Sequence, residues 1–164
     1  MSVYFISDLH LGHNHIHVFG HRPWADSPEL HDLILIDRIN DTVNKRDKLF
    51  ILGDVAWSKP GAAKLADIRC KNIEVVWGNH DIPRYIMPYI HRSHGFFKYN
   101  GYWVSHCPMH PIELRGMQNI HGHVHHNVLA DDRYVSVCVD SCNGYPVLFE
   151  DILHGTYTTH EGIV

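Results

Sequence analysis

Five polar fragments punctuate this chain, and four of them directly follow a run that reads as a β-strand. They are Asp8-Leu9-His10, Gly53-Asp54, Gly78-Asn79-His80-Asp81, Ser105-His106 and Gly122-His123-Val124-His125. Each joins small or turn-forming residues to Asp, Asn or His. A fold that accommodates this order gathers oxygen and nitrogen donors at the ends of neighbouring strands. Such a donor set suits two hard or borderline divalent cations.

The pattern between the fragments supplies the frame. Residues 2–7 read as a strand, followed by a polar, His-rich loop from His10 to about Asp26. Ser27-Pro28-Glu29 has the signature of a helix start: an N-cap, a proline at the first helical position and an acid in the first turn. Leu30, Leu33, Ile36, Ile39 and Val43 recur at the spacing of one apolar helix face. Lys48–Leu52 and Ile73–Trp77 read as strands, with a helix between them opening at Pro60 and running to about Cys70. Ala63, Leu65, Ala66 and Ile68 are available to pack it. The order β, α, β, α, β predicts parallel strands. Beyond it, Asn100-Gly101 between Phe96–Tyr99 and Tyr102–Ser105 predicts a hairpin with a type I′ turn. Strands are expected at 118–121 and 134–139, with a helical turn within 146–153. We expect one α/β domain over residues 1–164, with mixed sheets and helices outside.

Composition narrows the function classes. At 164 residues, 45% hydrophobic and 20% charged, the chain can bury a core. No apolar run approaches the roughly 20 residues that cross a bilayer, and the N-terminus lacks a secretory leader, so a cytoplasmic, membrane-free protein is expected. A net charge of −4 argues against broad duplex nucleic-acid binding, although bound cations would still attract a phosphate. The four cysteines form no CxxC pair and are expected to be reduced and packed. Cys107, beside His106, is the exception to watch. Histidine is the outlier, with 17 copies concentrated at 10–21 and 121–126.

Asp8 and His10, two apart, can reach one ion if the segment is extended. The same spacing applies to His123 and His125. Asp54 can use its two carboxylate oxygens to bridge two cations. Asn79 offers a neutral oxygen, His80 a transferable proton, and Asp81 a carboxylate to orient His80.

Together and in this order the fragments resemble the signature of the calcineurin-like metallophosphoesterase superfamily: DxH, GD, GNH, H and GHxH. The small bacterial and phage-type phosphoesterases are the most similar, with openings like Ile6-Ser7-Asp8-Leu9-His10-Leu11-Gly12-His13, an Arg-Pro like Arg22-Pro23, and a C-terminal Val137-Cys138-Val139-Asp140. The resemblance implies a two-sheet α/β sandwich flanked by helices. It implies that Asp8, His10 and His125 hold one metal, that Asn79, His106 and His123 hold the other, and that Asp54 bridges them. His80 would be the general acid and, with Asn79, a phosphate contact. A metal-bridging hydroxide would attack phosphorus in line. Manganese is the first choice of metal, with iron, zinc, nickel or cobalt as alternatives.

Protein phosphatases of that superfamily carry Asp-Arg-Gly soon after GD. Here Gly53-Asp54 is followed by Val55-Ala56-Trp57-Ser58, which disfavours that activity. The expected activity is phosphodiester hydrolysis on a small molecule or nucleotide. The alternatives are a phosphomonoesterase, a nucleotide or nucleic-acid phosphoesterase, and a non-catalytic scaffold. Arg22 and His13 are the substrate-side candidates. Arg84, Arg115, His15, His17 and His21 are left without a role, and Trp24, Trp57 and Trp103 are expected to pack in the core or at the rim. The sequence leaves the oligomeric state open.

Overall fold

The computed structural model describes residues 1–19 and 22–157. His21, read with the His-rich loop, lies outside them. The first half alternates β1 (Val3–Ile6), α1 (Ile16–Phe19), α2 (Pro28–Thr42), β2 (Lys48–Leu52), α3 (Lys59–Ala63), β3 (Ile73–Val76) and α4 (Pro83–Ile86). The second half runs β4 (Arg92–His94), β5 (Phe96–Tyr99), β6 (Tyr102–Ser105), α5 (Pro111–Leu114), β7 (Gln118–His121), β8 (Tyr134–Ser136), β9 (Val147–Leu148) and α6 (Phe149–His154).

The strands form two mixed sheets. One has the order β4-β3-β2-β1-β9, parallel except for β9, which pairs antiparallel with β1. The other has the order β5-β6-β7-β8, where β5 and β6 form the antiparallel hairpin and the rest is parallel. Asn100 and Gly101 both adopt positive φ in the turn, as a type I′ hairpin requires. A parallel bridge from Ser7 to Cys138 ties the two sheets together just before the first polar fragment.

Alternation along β1 and β2 splits the core in two. Ile6, Leu49 and Ile51 face a cluster that also holds Leu35, Ile36, Ile39 and Leu65 from the helical side. Phe5, Phe50 and Leu52 face a second cluster with Val76, Val104, Ile120 and Val137, which packs one sheet on the other. Strands buried on both faces read as continuous apolar runs, which is why β2 and β3 stand out in the sequence. No helix among the described residues is long and apolar enough to cross a membrane.

Several expectations need correction. In α2 the Ser27 hydroxyl caps the Leu30 N–H as predicted, but the buried face is rotated. Leu30 and Leu33 are exposed, while His31 and Asp32 are buried with Leu35, Ile36 and Ile39. Polar partners beneath the helix, described below, outweigh the apolar spacing. The helix opening at Lys59 lasts one turn before tightening to 3₁₀ over Lys64–Asp67. It leaves Ala63 and Ala66 exposed and buries Leu65 and Ile68. The His-rich loop contains the short α1. Neither β4 nor β9 was expected, because Arg92-Ser93-His94 is polar and β9 has only two residues.

Candidate metal centre

All five polar fragments lie where strands of the two sheets end: after β1, β2, β3, β6 and β7. The backbone there is unusual. Among the described residues eight non-glycines have positive φ, and five of them are Asp8, His10, Asp54, His123 and His125. A left-handed conformation costs an L-residue about 1–2 kcal/mol, and such residues gather where function requires a fixed geometry. This also corrects the basis on which the pairs were read. Asp8 and His10 are not on extended chain; each occupies a left-handed turn, as do His123 and His125. Gly53, with φ of 85°, lets the chain leave β2 past His106. A Cβ on Gly78 would run into the Asp54 backbone nitrogen and carboxylate.

The donors fall into two banks. The first is enclosed: Asp8 is 0%, His10 4% and Asp54 2% exposed. Asp8 Oδ2 accepts from the Ser7 hydroxyl, the His123 N–H (2.9 Å) and the Cys138 thiol (3.1 Å). Among the described residues its Oδ1 has no hydrogen-bond partner, and neither ring nitrogen of His10 has one. His125 Nε2 lies 4.0 Å from that Oδ1, and the His125 ring stacks on His10 at 5.3 Å. Burial pushes the His10 pKa down to about 2, so the ring is neutral and one of its nitrogens can offer a lone pair to a cation.

The second bank is open. His106 is buried, but Asn79 and His123 are exposed. His106 Nδ1 donates to the Leu52 carbonyl at 2.7 Å, which leaves Nε2 as an acceptor in the neutral ring. That lone pair faces Asn79 Oδ1 at 3.0 Å and His123 Nδ1 at 3.2 Å. Cys107 is exposed, with its sulfur close to the His106 and His123 donors. Asp54 joins the banks: Oδ2 is 3.6 Å from His10 Nε2 and Oδ1 is 3.6 Å from His106 Nε2.

These donors fit divalent cations. Ligands about 2.0–2.2 Å from one ion stand roughly 3–4 Å from one another, and the separations above are 3.0–4.0 Å. Two acceptors facing each other gain nothing without a positive charge between them. Buried polar atoms without partners are rare and call for an explanation; a cation bound there would supply one for Asp8 Oδ1 and His10.

A chain of buried polar groups braces the enclosed bank. His125 Nδ1 pairs with Asp140 Oδ2 at 2.9 Å, which aims Nε2 at the site. Arg22 grips Asp140 through Nε and Nη2, both at 3.1 Å, and donates to the Asp8 and Leu9 carbonyls at 2.7 and 3.2 Å. Arg22 Nη1 donates to His31 Nε2 at 2.6 Å, so His31 Nδ1 carries the proton given to Asp32 at 2.8 Å. Asp32 also accepts from the Gly12 N–H and from Lys64. Burial alone would raise the Asp140 pKa. Arg22 and the His125 hydrogen bond outweigh it and hold the carboxyl at about 2.

Two assigned roles are therefore corrected. Arg22 is 1% exposed and clamps Asp140, so it is not a substrate contact. Asp81 does not touch His80. Its oxygens accept the backbone N–H groups of Asp54, Val55 and Gly78 at 2.7–3.0 Å, stapling the β2 exit to the β3 exit. Burial pushes its pKa up. His80 is exposed at the enclosed end, its ring 5.7 Å from His10 and 4.9 Å from Trp57. His13 stands at the same rim, 4.4 Å from Trp57. Trp24 stacks on His31 and Trp103 lies under Lys98. Arg84 bonds Tyr85 and Arg115 pairs with Glu113, both on the surface. Sequence reading missed Asp140, His31 and Asp32 as parts of the site. Asp140 stands in the C-terminal stretch that resembles the family but carries no assigned role there; for His31 and Asp32 the signal is polar residues on a helix that must bury a face.

No family profile matches the sequence. It is 30% identical over 166 residues to the uncharacterized protein MJ1445 of Methanocaldococcus jannaschii, covering 93% of this chain and 89% of that one. The chain belongs to the MJ1445 family. It is also 38% identical over 88 residues to the gene 66 protein of Mycobacterium phage D29, spanning 50% of this chain and 41% of the phage protein. The family's fold has a solved counterpart in a protein of unknown function from Aquifex aeolicus, AQ665. That structure matches with a TM-score of 0.75 at 20% identity over 93% of this chain and 98% of that one.

Proposed function

We propose that this protein is a phosphodiesterase dependent on two divalent cations, of the calcineurin-like metallophosphoesterase kind. The carrying observation is the pair of donor banks sharing Asp54, with acceptor atoms that face one another or have no partner. Asp8, His10 and His125 would hold one cation, Asn79, His106 and His123 the other, and Asp54 both. Manganese suits the mixed oxygen and nitrogen donors, with iron, zinc, nickel and cobalt also compatible. Bound there, the cations supply Lewis acidity and an activated water as nucleophile.

The chain's own residues do the rest. His80 is exposed at the mouth of the site, against Trp57, and gives its proton to the leaving oxygen. Its backbone N–H is held by Asp54 Oδ1 at 3.0 Å, which fixes the approach of the ring. The Asn79 amide at the rim binds a non-bridging phosphate oxygen. Asp81 keeps the two turns in register. The exposure of Asn79, His80 and His123 leaves the face open and favours a diester, whose second ester group needs room.

The test is turnover of bis-p-nitrophenyl phosphate against p-nitrophenyl phosphate by the manganese-loaded protein. Diester hydrolysis abolished by chelation is the expected result. A clear preference for the monoester contradicts the diesterase reading, and inertness on both contradicts the hydrolase reading.

A further inference from the structure

Beside the open bank the surface sinks into a cleft of about 400 Å³. Two of its lining residues, Asn79 and His106, belong to that bank. Trp77, Phe96 and Met109 supply apolar faces, and among the described residues no Lys, Arg, Asp or Glu lines it. Phe96 is 61% exposed at the start of the edge strand β5. Next to it, Gly95 has nothing within 4 Å of where a side chain would begin, so the floor is open. The volume lies within the roughly 300–1,000 Å³ of small-molecule sites. His80 sits at the other end, against His10 and Trp57.

Resting on the phosphodiesterase reading, we propose that this cleft binds the ester group the reaction leaves on phosphorus, and that this group is an uncharged planar aromatic ring. The leaving oxygen must meet His80, so the group at the opposite end is the one retained. Phosphorus lodged between the banks places that substituent over Asn79 and His106, at the cleft mouth. A planar ring gains offset or edge contacts with Trp77 and Phe96 and a sulfur–aromatic contact with Met109. A second phosphate or another charged substituent would enter a wall with no counter-ion.

The test holds the leaving group constant. The manganese-loaded full chain is assayed with phenyl p-nitrophenyl phosphate and methyl p-nitrophenyl phosphate, which release the same phenolate. The phenyl diester should show about tenfold higher kcat/KM, carried mainly by KM. Phe96→Ala, with Met109→Ala as a second variant, should bring that ratio close to one. Calorimetric binding of phenylphosphonate against methylphosphonate should show the same preference and the same loss, without turnover. Equal kcat/KM for the two diesters, or a ratio unchanged in both variants, overturns the cleft assignment and leaves the hydrolase reading intact. If neither diester turns over, the hydrolase reading fails and takes this one with it.

Discussion

The two banks of the candidate centre reach similar donor spacing by different means. The enclosed bank is largely buried, His125 excepted, and its donors are aimed from behind by Asp140, Arg22, His31 and Asp32. The open bank is braced mainly by a backbone carbonyl, that of Leu52, on His106; Asn79 and His123 stand in solvent. The difference teaches where rigidity is invested. Under the proposed mechanism the bank next to His80 holds its geometry while a proton moves. The bank next to the apolar cleft must stay accessible.

The largest expected effect probes what neither bank supplies. His80→Ala should lower kcat for the diester by about 10²–10⁴ while both cations still bind. Retained turnover with full metal content would remove His80 as the acid. Next in size is Arg22→Met. It strands the buried Asp140 carboxylate and strips hydrogen bonds from the Asp8 and Leu9 carbonyls, and a buried pair broken this way costs about 3–5 kcal/mol. Denaturant unfolding of the metal-free protein measures it; a loss near zero would mean the brace is idle.

Asp140→Asn asks the comparison directly. It should weaken only the cation held by Asp8, His10 and His125, by about 10–100-fold, so that a titration resolves one tight and one weakened site. Equal weakening of both would erase the distinction between the banks.

The smallest effect is acid sensitivity without metal. Burial lowers the pKa of His10, to about 2, and also lowers those of His31 and His121. Unfolded histidines titrate near 6.5, so below that pH the unfolded state binds more protons. The stabilising contribution is present above 6.5 and is lost as pH falls through the folded values. His125 works the other way. Burial lowers its pKa, but Asp140 outweighs this and raises it, so its contribution is complete below 6.5 and fades as pH rises through the raised value. Between 6.5 and its folded value His10 alone should give a stability decline of about 1.4 kcal/mol per pH unit, with His31 and His121 adding to it, so the decline is shallower in His10→Asn. A flat melting profile between pH 6.5 and 4.5 would contradict it.

Much of the fold is legible in the amino-acid sequence. The strands β1, β2 and β3 declared themselves because both faces are buried and the runs are continuous. The hairpin declared itself through Asn100-Gly101. The resemblance implies seven ligand positions, and the structure brings those seven side chains together at the strand ends; that they hold metal is the proposal. What stayed hidden has one physical cause: it depends on contacts distant in sequence. Arg22 meets Asp140 across 118 residues, so the sequence alone reads it as a substrate contact. His31 and Asp32 interrupt an apolar spacing, and only the buried arginine beneath α2 explains why they turn inward. Asp81 sits beside His80 in sequence, yet its carboxylate closes on three backbone N–H groups. Nothing in the residue order signals left-handed turns at Asp8, His10 and Asp54, because glycine is absent from those positions.

The central claim is that two cations share Asp54. Manganese titration of the metal-free protein, followed by electron paramagnetic resonance, tests it most directly. The account predicts two equivalents bound per chain and an exchange-coupled spectrum, with both lost in Asp54→Ala. A single equivalent, or two that give independent uncoupled signals, would contradict it.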